Sequence, residues 1–345
     1  MSKKILVTGS EGYIGSVMMP MLKEAGFVPT GLDVNYYRDG NLNNKAISNY
    51  ELIQKDVRDV TLQDLAAKDY YAIVHLAALS NDPLGMLDEN LTLEINYKAS
   101  VRLATLAKEA GIPRFVFASS CSLYGQGDKK ALTEESPSNP QTAYGKSKIL
   151  TEIDLAKLAD DKFSPTYMRN ATAFGFSPRM RFDLVVNSLC GYAKVDKEIK
   201  ILGDGKPWRP LVHIRDISAA VITVLKAPKE KIHNQAFNVG DINENYQIIS
   251  IAENVQKKFT DCKIVICQEN AGDTRDYNVS FEKINRSLEF KSKWSLEKGV
   301  EELFSEYMEA GLNKEIFEHR FYTRLKQLTY LIQNKIISSD LKFNK

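Results

Sequence analysis

Histidine and cysteine are scarce in this 345-residue chain, which holds only His75, His213, His233 and His319, and Cys121, Cys190, Cys262 and Cys267. The irregular cysteine spacing excludes a disulfide framework, and no Cys-x-x-Cys or neighbouring histidine pair completes a metal site. Reduced thiols and no metal are expected, and chemistry built on several histidines is set aside. A charge excess is missing too: 46 Lys plus Arg against 44 Asp plus Glu leave a formal charge of +2. Neither nucleic acid nor acidic lipid is therefore an expected partner. No apolar run approaches the ~20 residues of a membrane helix. Met1-Ser2-Lys3-Lys4 leads straight into a strand-like run, without the apolar stretch of a secretory signal. The expected location is the cytoplasm, with no membrane partner.

What the chain does have is 43% apolar residues, enough for a sizeable core, arranged in alternating short β-rich runs and longer amphipathic stretches. Strands are expected at Lys4 to Val7, Val28 to Asp33, Glu51 to Lys55, Ala72 to Ala77, Arg114 to Ser119 and Pro165 to Arg169. Between them, Leu91, Ile95, Ala99, Leu103 and Leu106 mark a helix over Asn90 to Ala110. Such alternation predicts an α/β fold, a doubly wound parallel sheet of Rossmann type with helices on both faces. After Phe174 the texture changes to shorter elements around Gly203, Gly205, Pro207 and Pro210, with helices at Ile214 to Lys226 and Gln247 to Phe259. The expected organisation is a dinucleotide-binding unit over 1–174, a smaller α/β substrate unit mainly over 175–312, and a helical extension over 313–345. Phe317, Phe321, Leu325, Leu328 and Ile332 give that extension an apolar stripe, read as packing against its own domain.

The first strand runs into Thr8-Gly9-Ser10-Glu11-Gly12-Tyr13-Ile14-Gly15. Gly9, Gly12 and Gly15 permit a tight turn, and the backbone through Tyr13 and Ile14 brings N–H groups to a pyrophosphate at a helix N-terminus. Asp33 ends the second strand, where a carboxylate accepts from ribose hydroxyls and repels a 2′-phosphate, so NAD is favoured over NADP. Tyr144 and Lys148 stand four apart on one helical face. Ser120 follows the fifth strand at the carboxyl edge where doubly wound sheets bind ligands.

With these motifs in order the chain resembles the extended short-chain dehydrogenase/reductase superfamily, in its nucleotide-sugar epimerase and dehydratase branch, from about Lys4 to Gly311. The resemblance rests on the glycine loop, Asp33, Asp56-Val57, His75-Leu76-Ala77-Ala78, the Ser119-Ser120 to Tyr124-Gly125 segment and Tyr144-x-x-x-Lys148. It implies that Asp56 and Val57 meet adenine, that Leu76, Ala77 and Ala78 line the cofactor pocket, and that Ser120, Tyr144 and Lys148 are catalytic. A sugar hydroxyl must lose its proton as its carbon gives up hydride. A free phenol with a pKa of about 10 is seldom ionised at neutral pH, so Lys148 and the nicotinamide charge would favour the phenolate and let it act as base. Ser120 would hold the same oxygen. In 4,6-dehydratases of this family an Asp-Glu pair follows the catalytic hydroxyl residue. Cys121 and Ser122 stand there instead, which argues against dehydration and leaves Cys121 as a packing thiol.

The resemblance also implies contacts to a nucleotide sugar. Arg209 in Asp204-Gly205-Lys206-Pro207-Trp208-Arg209 and Arg275 in Asp273-Thr274-Arg275 match diphosphate-contacting arginines, whose planar forks suit two phosphate oxygens. Asn187 matches a residue near the nucleotide, and Thr172 stands where many relatives carry Asn. Arg179 and Arg181 are extra charges at the expected cleft mouth, and their segment is similar to one in dehydrogenases of GDP-heptoses. His213 reads as structural. The expected function is an NAD-dependent epimerase acting at a sugar carbon, the 4-position, through a keto intermediate. A 4-dehydrogenase and a silent NAD-binding module are the alternatives. The expected partners are a nucleotide sugar and a second copy of the chain in a homodimer.

Overall fold

The computed structural model describes residues 2–44, 49–80, 88–126, 131–267 and 275–344. Asp273 and Thr274, named with Arg275 above, lie outside them. Strands β1 (Lys4–Thr8), β2 (Val28–Asp33), β3 (Glu51–Gln54), β4 (Ala72–His75), β5 (Arg114–Ser120) and β6 (Ser164–Asn170) form the expected sheet. Three short strands follow, β7 (Thr172–Phe174), β8 (Glu198–Leu202) and β9 (Trp208–His213). The last are β10 (Gln235–Val239), β11 (Asn245–Gln247) and β12 (Lys263–Cys267).

The main sheet has seven strands in the order β10-β6-β5-β4-β1-β2-β3, parallel throughout. Strand order runs outward in opposite directions from β1, to β2 and β3 on one side and to β4 and β5 on the other, and that switch point opens a crevice at the carboxyl ends of the strands. Alternate residues of each strand face opposite sides. Ile5, Val7 and Val74 pack with Met18, Met19, Val221 and Val224, while Leu6, Ile73 and Phe117 pack with Leu103, Ala107 and Leu155.

The first face is therefore covered partly by the helix Ile214–Lys226, and β10 pairs with β6. Both come from the later part of the chain. Without them the β6 edge would leave its ladder groups unpaired. The remaining strands form the three-stranded β11-β9-β7 sheet and the β12-β8 pair, so that β7, at the end of the stretch expected as the first unit, joins strands of the later part of the chain. Among the described residues no helix is long and apolar enough to cross a membrane.

The stretch Asn90 to Ala110 is not one regular helix. Two α segments, Glu89–Leu93 and Ala99–Glu109, flank a π-helical turn, Glu94–Lys98. The wider turn presents Asn96, whose amide accepts from Leu79 N at 2.7 Å and donates to Leu79 O at 3.0 Å. Leu79 and Ile95 then border the crevice.

Candidate active site

The turn after β1 needs its glycines for space. Gly9 has φ +73°, and a Cβ there would come within 2.8 Å of Ala77 N, while one on Gly15 would overlap the Gly9 carbonyl. The backbone thus passes close to β4's exit before entering the helix Gly15–Glu24, where Ser16 N donates to Gly12 O at 3.0 Å and Val17 N to Ile14 O at 3.1 Å. Asp33 accepts from Glu11 N at 3.0 Å and Asn35 N at 2.8 Å, which fixes the carboxylate beside the loop with lone pairs left for a ribose. Burial pushes its carboxyl up, against those two donors. Beyond it, Asp56 is paired with Arg58 at 2.7 Å. A close glycine backbone, a positioned acceptor and a helix N-terminus together fit a dinucleotide.

At the other end Ser120 closes β5, with Oγ accepting from Ser122 N at 3.2 Å. Tyr144 and Lys148 lie in the first turns of the helix Ala143–Leu158, which Thr142 caps by accepting from Gly145 N at 3.1 Å. Lys148 is buried, donates from Nζ to Ala118 O at 2.7 Å and lies 5.4 Å from the Tyr144 ring centre. Burial pushes its ammonium down to about 7, against the charge of Glu152. One turn on, Glu152 accepts from Ser119 Oγ at 2.5 Å and from Arg169 Nη2 at 2.6 Å. His75, bonded to Thr8 at 2.6 Å and Ser100 at 2.7 Å, is held neutral by burial, its pKa down to about 3.

Asp33, Asp56, Ser120, Tyr144 and Lys148 share one cavity of about 980 Å³. The residues expected to act in catalysis or to bind cofactor or substrate all border it except Asn187, and of the two cleft-mouth arginines only Arg181 does. The Asn187 side chain is fully buried, accepting from Gly175 N at 3.0 Å and donating to Tyr13 Oη and Arg181 O, each at 3.0 Å. It ties the glycine loop to the second unit and offers nothing to a nucleotide. Arg209 donates to the carbonyls of Trp208 and Arg275, which holds the two arginines side by side.

Other expectations change place. Arg179 is interior, paired with Glu11 at 3.0 Å and bonded to Gly40 O at 3.1 Å. Arg181 does reach the cavity wall, but paired with Asp183 at 2.9 Å and bonded to Ser80 Oγ at 3.0 Å. Cys121 turns into the core and donates to Arg169 O at 3.1 Å, and burial pushes its thiol up. His213 accepts at Nδ1 from Arg215 N at 3.2 Å, so Nε2 donates to Glu302 at 2.8 Å. Its ring stacks on Trp294. Sequence reading missed Tyr36, Tyr37, Asp183 and Arg324, all in the cavity wall. No local motif marks them, because packing between distant segments brings them there.

Among known proteins, the low-salt glycan biosynthesis protein Agl12 of Haloferax volcanii is 25% identical over 318 residues, 88% of this chain and 98% of that protein. The UDP-glucose 4-epimerase of Corynebacterium glutamicum is 27% identical over 304 residues, 83% of this chain and 89% of its own. In fold the chain is similar to TunA, an NAD-dependent NDP-hexosamine 5,6-dehydratase, with TM-score 0.78 and 22% identity over 89% of this chain and 98% of that one. Residues 5–240 match the family described as NAD dependent epimerase/dehydratase. With that match spanning both the glycine loop and the Tyr144–Lys148 pair, the chain belongs to this NAD-dependent family of the extended short-chain dehydrogenase/reductases.

Proposed function

We propose that the protein is a nucleotide-sugar epimerase that oxidises one sugar hydroxyl, at the 4-position, and reduces the ketone from its opposite face. Bound NAD supplies the hydride acceptor and, on the return step, the hydride donor. Tyr144 takes the hydroxyl proton at its phenolate oxygen and later returns it. Lys148, 5.4 Å from that ring's centre, favours the phenolate through its charge. Ser120 Oγ holds the same sugar oxygen at the end of β5. Arg209 and Arg275 pair with the diphosphate, an anchor about which the keto sugar turns to offer its other face.

The observation that sets this reading apart from dehydration is the lack of a carboxylate beside Ser120 among the described cavity residues. Of the aspartates in the wall, Asp33 ends β2, three strands from β5, and Asp56 follows β3, four strands away. At ~4.8 Å per strand these are ~14 and ~19 Å off. Asp183 is neutralised by Arg181. Where dehydratases carry Asp-Glu, Cys121 faces the core and Ser122 brings only a hydroxyl.

The test is a panel of nucleotide sugars followed by mass spectrometry and NMR. A product of unchanged mass with an inverted carbon is expected. Loss of two hydrogens with NADH accumulating would make the protein a dehydrogenase, and loss of water a dehydratase. Either outcome overturns the proposal.

A further inference from the structure

The segment after Gly311 does more than pack against the second unit. Leu328 is fully buried against Leu79, Leu91 and Ile95 of the sheet-bearing unit. Gln327 donates to Tyr36 O at 3.0 Å, and Lys342 pairs with Asp59 at 2.7 Å. The C-terminal segment therefore lies along the chain that leaves β2 and β3, over the half of the crevice that holds Asp33 and Asp56.

Arg324 opens the last helix, Arg324–Gln333, and borders the cavity while only 3% exposed. It donates to Phe321 O at 3.5 Å and Arg179 O at 3.2 Å, two of the five donors of a guanidinium. Its face lies 4.0 Å from the centre of the Tyr37 ring. Among the described residues no carboxylate is within ion-pair distance. Asp33 and Asp183 act on it only through space, and burial pushes its pKa down to about 10. A buried cation without a counter-charge is costly. In a cavity wall it is a group prepared for an anionic ligand.

Two anions enter this cavity, the cofactor's pyrophosphate and the sugar nucleotide's diphosphate. Arg209 and Arg275 are assigned to the second. Arg324 sits among Tyr37, Arg181, Asp183 and Asp33, and Arg179, whose carbonyl it bonds, is paired with Glu11 of the glycine loop. We propose that Arg324 binds the pyrophosphate of NAD, which makes the C-terminal helix a strap that completes the cofactor site. The inference rests on the family's cofactor and is independent of whether the reaction is epimerisation. The strap lies outside residues 5–240, the stretch that matches the family.

The test uses nucleotide-stripped protein titrated calorimetrically with NAD, ADP-ribose, adenosine and UDP. Arg324→Met should weaken NAD and ADP-ribose at least ~10-fold, the loss of one charge-assisted hydrogen bond, and leave adenosine and UDP unchanged. Arg324→Lys should recover part of the loss. Unaltered NAD affinity overturns the proposal, as does a loss confined to UDP, which would give the arginine to the sugar nucleotide. Should Arg324→Met fail to fold, hydrogen exchange on the unmodified protein decides. NAD and ADP-ribose should slow exchange over 320–333 while adenosine does not, and equal effects of all three would overturn the assignment.

Discussion

Lys148 Nζ is bonded to the Ala118 carbonyl at 2.7 Å and lies 5.4 Å from the centre of the Tyr144 ring. Strand β5 and the helix Ala143–Leu158 are thus joined through the side chain that supports the base. Ala118 also sets where Ser120 emerges, two residues further along the same strand. Hydroxyl, phenol and ammonium are fixed by one strand end and two helical turns, so their spacing does not depend on any loop.

Replacing Tyr144 by Phe keeps the ring and removes the oxygen that takes the proton. Turnover should fall by at least the ~10²-fold typical of losing a general base, with NAD affinity retained. Steady-state rates on the best sugar from the panel check this. Near-normal turnover would remove Tyr144 from the mechanism.

Lys148→Met removes the charge and leaves the phenol. NAD binding should weaken, because the ammonium is a donor bordering the cofactor site. Residual activity should rise with pH, since an unassisted phenol ionises only toward its ordinary value near 10. A pH profile parallel to that of the unmodified enzyme would contradict the role given to Lys148.

Asp33 is positioned by two backbone N–H groups, so its charge is presented to the ribose in a fixed place. Asp33→Ser removes the repulsion toward a 2′-phosphate and should shift preference from NAD toward NADP. Comparative titration with both cofactors is the measurement. Tighter NADP binding by the unmodified protein would contradict the assignment.

Features set by local spacing are the ones legible in the chain. Gly9, Gly12 and Gly15 lie within one turn, Tyr144 and Lys148 one helical turn apart, and each main-sheet strand carries its own apolar pattern. The π turn left a faint trace: Leu91, Ile95, Ala99 and Leu103 step by four residues three times. Three ordinary turns take about 10.8 residues, so the excess of roughly one residue is the inserted one. Read as plain helix, it hid the role of Asn96. Arg324 and Asn187 were illegible for another reason. Whether an arginine 291 positions after Asp33 faces a cavity, or an asparagine sinks into a core, depends on long-range docking that no local pattern encodes.

Glu152 is the counter-charge of buried Arg169 and the acceptor of Ser119 Oγ at 2.5 Å. Glu152→Gln leaves the guanidinium without its partner, which for a buried pair costs ~3–5 kcal/mol. Urea unfolding should show a loss of that order. A change below about 1 kcal/mol would mean that Arg169 finds other support.

Lys148 also sets a pH dependence of stability. In the folded, nucleotide-free protein burial holds it down to about 7, against about 10.4 when unfolded. Below pH 7 both states carry the proton, and the folded state bears the full cost of a buried charge. Between pH 7 and about 10 the unfolded state binds more protons, so stability rises with pH. The penalty is therefore largest in acid and shrinks toward alkaline pH, each unit of separation being about 1.4 kcal/mol. Lys148→Met removes it, together with the bond to Ala118 and the ammonium's contacts with the Phe117 and Tyr144 rings. The variant should gain most over the unmodified protein near pH 6, and its advantage should narrow by pH 9.5. Paired denaturation curves at both pH values measure this difference while cancelling the other titrating groups. An advantage that stays constant or widens would show that Lys148 remains charged in the folded state across the whole range.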